Sequence, residues 1–191
     1  GKRNAMISSS RIDEDSINTL AERAVAMAKL APEDPFADLA EADLLARSIP
    51  TIDICDATEV SSDELRDDAL AAEEAARAIK GITNSEGGSA SSGLVDVMIA
   101  TSNGFSANYK RSSQGISAVV IAEKDGAMER DYDYSAAVYG VDLDTPEAIG
   151  KRAAARTLSR LGPQKPPTGQ FPVIYDQRVS GSIVGTLAGG I

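Results

Sequence analysis

Apolar residues recur along this chain with two different periods, helical at both ends and alternating through the middle. Ile17, Leu20, Ala24, Met27 and Ala31 fall at three- and four-residue steps, which lays one narrow stripe along a helix. Asp13 or Asp15 is placed to cap it, and Pro32 and Pro35 end it. A second helix is expected over Ser62–Lys80. Ser61 and Glu64 make a capping box there, and Leu65, Ala69, Ala72, Ala76 and Ile79 form its buried stripe. Acids crowd its first turn and Arg77 and Lys80 its last, both favourable to the helix dipole, and Gly81 is a natural left-handed stop. A third helix begins at Thr145 with Pro146 in the first turn, carries Ile149, Ala153, Leu158 and Leu161 inward, and stops at Gly162-Pro163.

Between residues 94 and 138 the period is two. Val95, Val97 and Ile99 face one way, and Phe105, Ala107 and Tyr109 return along a neighbouring strand. Asn103-Gly104 predicts a two-residue type I′ turn between them. A third strand is expected over Gly115–Ala122, a turn at Asp125-Gly126, and a fourth strand over Ala127–Val138. Shorter strands are expected at Ala5–Ser10, Thr51–Cys55 and Pro172–Tyr175, and a short helix near Leu39–Arg47. The Gly/Ser-rich stretch Gly87–Gly93 reads as a turn or loop, Gln164–Gln170 as a Pro-rich connector, and Val179 as the start of a further element. The pattern as a whole is α+β: an antiparallel meander of about four strands, with two or three long helices packed on one face.

Composition sharpens that picture. Hydrophobic residues make up 42% of the 191, but aromatics only 4%, so the core is built from Ala, Ile, Val and Leu. Net charge is −10 and lopsided: residues 1–80 carry 9 basic and 18 acidic groups, a net of −9. Nucleic-acid binding needs clustered Lys and Arg, so the balance argues against it. A single cysteine, Cys55, precludes an intrachain disulfide and fits a reducing compartment. With no signal-like or membrane-length apolar run, a cytoplasmic location without membrane association is expected.

Candidate chemistry is sparse. The chain has no histidine, so it holds no Ser-His-Asp triad and lacks the usual ligand of a catalytic zinc. Glu129, Asp131 and Asp133 alternate on one strand face, opposite Met128, Arg130, Tyr132 and Tyr134. They suggest a hard-cation site or a surface for a basic partner, or simply a solvated sheet face. Lys151, Arg152, Arg156 and Arg160 likewise read first as a solvated helix face. Cys55 beside Asp56 reads as an inert thiol. Gly181, Gly185 and Gly189 suit close helix packing.

Several short segments, in order, resemble one family. They are APEDP at Ala31–Pro35, IDICD at Ile52–Asp56, EEAA at Glu73–Ala76 with ITNSEG at Ile82–Gly87, TSNGF at Thr101–Phe105, MERDYDY at Met128–Tyr134 and PVIYD at Pro172–Asp176. Together they are similar to the TldD/PmbA proteins, peptidase-related and once described as modulators of DNA gyrase, with ERDYDY and ITNSEG pointing to the PmbA (TldE-like) branch. The resemblance implies that residues 1–170 form most of an N-terminal α+β domain, and that 171–191 lead toward a C-terminal β-rich domain. It also implies a TldD-type partner subunit, with a homodimer formed in its absence, and an unfolded peptide as substrate. Zinc is expected only in the TldD-type partner, on an H-E-x-x-x-H helix. The corresponding stretch here, Gly181–Ile191, has neither His nor Glu, so no metal, cofactor or catalytic residue is carried over. The expected role is therefore the metal-free subunit of a metallopeptidase complex. The alternatives are a stand-alone gyrase-modulator type of binding protein, or a hydrolase whose site lies in a further domain. Ser102, Asn103, Phe105, Glu129, Arg130 and Tyr132 are the expected peptide-binding residues.

Overall fold

The computed structural model describes residues 2–190. Its elements are α1 (Glu14–Leu30), α2 (Ser62–Arg77), β1 (Ile82–Ala100), β2 (Ser106–Lys124), β3 (Ala127–Ala137), a 3₁₀ turn (Gly140–Asp142), α3 (Pro146–Ser159) and α4 (Gln177–Gly189). The three strands form one antiparallel sheet in the order β1-β2-β3. This is the expected α+β class, with three long strands where four were read. The return strand from Phe105 and the strand at Gly115–Ala122 are one 19-residue strand, β2. Its partner β1 is equally long, because Gly87–Gly93 lies within the ladder and is not a loop. Gly88 there answers a packing demand: a Cβ on it would collide with the carbonyl of Ala69 in α2. Gly88 thus records close helix-on-sheet approach, a reading that composition alone turned into a loop.

Two helices cover one face. The inward residues of β2 are Ile116, Ala118, Val120 and Ala122, and the first three form one cluster with Ala72 and Ala76 of α2 and Ile149, Ala153 and Ala154 of α3. All these side chains except Ile116 are wholly buried, and most are alanines. The two helices approach each other at Gly150, where a Cβ would strike the carbonyl of Ala72. Both helices start as their sequences dictate. Ser61 and Glu64 complete the capping box on α2, and Thr145 Oγ1 accepts from Ala148 N at 3.3 Å with Pro146 in the first turn of α3.

Several local expectations are corrected. α1 forms with Asp13 as its cap but buries no residue: Ile17 and Met27 of its stripe are exposed and Leu20, Ala24 and Ala31 only half-buried, so it is not one of the packed helices. Ala5–Ser10, Thr51–Cys55 and Pro172–Tyr175 do not enter a ladder, and Leu39–Arg47 is turns rather than helix. A strand exists only where a neighbour supplies its hydrogen bonds, and these segments find none or one. The hairpin tip also differs. Thr101 N donates to Phe105 O at 2.9 Å, leaving a three-residue loop in which Gly104 alone has positive φ, +95°. The turn with both central residues at positive φ is Asp125-Gly126, at +54° and +80°. After the Pro-rich connector, α4 supplies the further element, also with no residue buried.

The close approach at Gly150 is testable. Gly150→Ala should destabilise the fold by about 1–3 kcal/mol through overpacking, measured as a lowered urea midpoint. A stability equal to the parent's would mean that α2 and α3 are farther apart than described.

Candidate functional site

The acidic row on β3 and the basic row on α3 face each other. Residues two apart on a strand and four apart on a helix both advance by about 6 Å, so the two rows match in step. Asp133 accepts from Arg152 Nε at 2.5 Å and also from Arg156, and its side chain is 5% exposed. Glu129 pairs with Arg160 at 3.5 Å. Asp131 takes Arg160 at 3.5 Å and, from α4, Arg178 at 3.2 Å. The acids are therefore neither a solvated face nor a cation site. Their oxygens are committed to guanidinium groups, and among the described residues no cluster of three or more His, Cys, Asp or Glu could hold a metal. Burial raises the pKa of Asp131, but the hydrogen bond from Arg178, that from Tyr132 N–H and the charges of Arg178 and Arg160 outweigh it, leaving a net lowering.

Arg178 does more than pair. Its guanidinium donates to Tyr132 O at 3.2 Å and lies 5.3 Å from the centroid of the Tyr132 ring. Tyr132 N–H meets Asp131 Oδ1 at 2.8 Å. Both main-chain groups that Tyr132 turns outward are thus occupied, which blunts the free edge of β3 at that point. On the open face of the sheet Tyr132 stacks on Tyr134, with centroids 6.2 Å apart, and Arg130 reaches across to Glu86 at 2.8 Å.

A second cluster holds the segment before α2 against the far end of β2 and β3. Asp56 Oδ2 accepts from Gln114 Nε2 and from Gly140 N, each at 3.1 Å, and Ser112 Oγ accepts from Asp56 N at 2.7 Å. Hydrogen bonds from Thr58, then that from Gly140, lower the pKa of Asp56. Tyr139 donates its hydroxyl proton to Asp53; that bond, burial and the nearby carboxylates push its pKa up to about 12. Cys55, half-buried in the same segment, is unpaired.

The six expected binding residues do not form one site. Ser102, Asn103 and Phe105 occupy the hairpin tip, where Asn103 Nδ2 donates to Ala40 O at 2.9 Å. Arg130 pairs with Ile121 near the other end of β2, some 15 residues and roughly 45–50 Å along the strand. Glu129 is turned toward α3, whereas Arg130 and Tyr132 are on the open face. The residues that organise the site beyond these six are Arg178, Arg152, Arg156, Asp53, Asp56 and Tyr139. The matched periods of acids and arginines were visible in the sequence, but only pairing the two elements joins them.

Two titrations check this electrostatics. The lowered pKa of Asp131 means that its contribution is complete above the ordinary carboxylate value near pH 4 and is lost as pH falls through the lower folded value. Asp131→Asn should therefore lower stability at pH 7 by about 1–3 kcal/mol and flatten the acid limb of the urea midpoint against pH. An unchanged acid limb would show that Asp131 is not ion-paired. For Tyr139 the raised value acts in the other direction: its contribution holds below the usual tyrosine value near pH 10 and is lost above it. Ultraviolet titration should show one tyrosine ionising at about 12, absent in Tyr139→Phe. Five tyrosines titrating together would refute the Tyr139–Asp53 bond.

Known proteins share this arrangement. A family model described as the PmbA/TldA metallopeptidase central domain matches residues 55–161, from the Asp56 cluster to the end of α3. Metalloprotease PmbA of Escherichia coli O157:H7 is 39% identical over 193 residues, covering 98% of this chain and 43% of that protein. A PmbA homologue of Haemophilus influenzae is 32% identical over 192 residues, covering 100% of this chain and 43% of its own length. The chain thus spans less than half the length of these relatives. Among solved structures, a Bacteroides thetaiotaomicron protein described as a modulator of DNA gyrase superposes over 98% of this chain and 44% of its own. Its TM-score is 0.83 at 22% identity. TldE of Thermococcus kodakarensis superposes over 78% of this chain and 34% of its own, with a TM-score of 0.60 at 20% identity. With a sheet, two covering helices and a matched central domain that together make up more than half of its length, this chain belongs to the PmbA/TldA metallopeptidase family, and the curated relatives it resembles are PmbA proteins.

Proposed function

We propose that this chain is part of the metal-free subunit of a two-subunit metallopeptidase that cleaves unfolded peptides, its zinc residing in a TldD-type partner. One observation carries the reading. α4 follows the PVIYD segment, where the resemblance to TldD-type sequences implies a zinc helix, and its sequence, Gln177–Gly189, contains no His, Glu, Asp or Cys. Zinc is bound by those side chains, so this helix has nothing with which to hold it. The absence of histidine along the whole chain and the commitment of the β3 acids to arginines support the same reading. The chain's own contribution is then a sheet that helps to wall a substrate cavity, with Ser102, Asn103 and Phe105 at the ribbon tip and Arg130 and Tyr132 on the open face as contact residues. Among the described residues no helix is long and apolar enough to cross a membrane, and a cytoplasmic complex is the setting we propose.

The test is peptide cleavage by full-length protein, first alone and then mixed with a TldD-type subunit, on an unstructured substrate. Cleavage should require the mixture and disappear with a zinc chelator. Chelator-sensitive cleavage by the full-length protein alone would overturn the division of labour. Native mass spectrometry should show a mixed oligomer, and its absence would equally count against the proposal.

A further inference from the structure

The β1–β2 ribbon outruns its neighbour. β3 pairs with β2 only from Gln114 to Lys124, so Ser106–Ser113 has a ladder partner on the β1 side alone. Ser112 shows which main-chain groups point to the other side: its N–H donates to Ile54 O at 3.0 Å. Main-chain groups of an antiparallel strand alternate between its two edges, and the β1–β2 register is continuous through this stretch. Asn108 and Lys110 therefore direct their N–H and C=O groups the same way as Ser112. Both are exposed, and among the described residues neither amide bonds to a backbone carbonyl on that side.

Beside this edge lies a hollow of about 460 Å³, walled by Ile49, Ile52, Ile54, Tyr109 and Val138. Arg111 is its one charged lining residue among those described. Tyr109 and Arg111 are two apart and so share a face, the spacing at which alternate side chains of an added strand would arrive. The chain's own Thr51–Cys55 has the alternating pattern of a strand, yet it contributes a single ladder bond and leaves Ile52 64% exposed. Residues 49–54 thus flank the hollow and hold β2 by that one main-chain bond, while Asn108 and Lys110 stay exposed.

We propose that the β2 edge from Ser106 to Lys110, with the hollow at Tyr109 and Arg111, is a strand-addition site. Its ligand is an extended segment of unfolded polypeptide bearing aliphatic residues at alternate positions and one carboxylate. Main-chain pairing gives sequence-tolerant affinity, the hollow takes the aliphatic side chains, and Arg111 meets the carboxylate. On a chain of net charge −10 a polyacidic strand would be repelled, so a single acid is favoured. The choice of ligand rests on the peptide-handling reading above; the geometry of the edge does not.

The test uses full-length protein without a TldD-type subunit and a fluorescein-labelled peptide alternating valine and threonine, with one glutamate. Fluorescence anisotropy should show binding. Asn108→Pro should weaken it at least about fivefold, because proline removes the outward donor and leaves the β1 ladder intact. Asn108→Ala, which keeps that donor, should bind like the parent. Arg111→Glu should weaken the glutamate peptide and favour its lysine counterpart, which keeps the test valid if the proline variant misfolds. Failure to bind, or equal binding by Asn108→Pro and Arg111→Glu, overturns the site. Self-association lost in Asn108→Pro, without peptide binding, also overturns it and assigns the edge to a second copy. Cleavage by the mixed complex with no binding here would sink the edge site alone, whereas edge binding with no cleavage would sink the peptidase reading alone.

Discussion

The approach of two alanine-rich helices to a glycine-bearing strand is the constraint on which the rest depends. With 5 tyrosines, 3 phenylalanines and no tryptophan in 191 residues, the chain has few large side chains with which to fill a thick core. It closes a thin one instead. Ala72, Ala76, Ala153 and Ala154 are wholly buried, and Gly88 and Gly150 let backbone meet backbone. Each alanine contributes little apolar area, so stability depends on dispersion contacts that extend across the whole interface and fade quickly with separation. That is why one added methyl at either glycine matters more than the loss of a methyl elsewhere.

The close approach also sets the electrostatics. With α3 held tight against the sheet, the acidic row of β3 is taken out of water, and carboxylates so placed require partners. Arg152, Arg156 and Arg160 meet them from α3, and Arg178 joins them from α4. This arrangement stabilises less than its count of ion pairs suggests, since desolvation offsets much of the attraction. Its firmer consequence is positional. It sets the strand–helix register and, through Arg178 and Tyr132, closes the edge of β3. β2 adds an open edge of its own to the outer edge of β1, beyond the point where β3 ends.

Function divides along the same line. This chain carries a framework and an extended ribbon, without a ligand set for a metal among the described residues. In the proposed complex, chemistry and scaffold would lie on different stretches of polypeptide. The long ribbon and its anchored flanking segment, held by Asp56, Gln114, Gly140 and Tyr139, are then the parts of this domain that face outward.

Local order was legible in the residues themselves. The capping box at Ser61 and Glu64, the Thr145-Pro146 start, the Asp125-Gly126 turn and the period-two run all act within a few residues, and each appears where the pattern placed it. So did the class of the fold and the family. The errors share one cause. Gly87–Gly93 and Thr51–Cys55 were misread because a glycine's role and a strand's existence depend on what lies across from them, and that is not local information. The same holds for the candidate site: Glu129, Asp131 and Asp133 and the arginines of α3 are each plain as rows, but their sequence separation of 19 to 31 residues hides that they pair. The hairpin tip and β3, both expected to contact peptide, lie toward opposite ends of a strand whose length only continuous pairing with β1 reveals. Residue identity decided which elements could form; the hydrogen-bond partner and the charge brought opposite each one came from the packing.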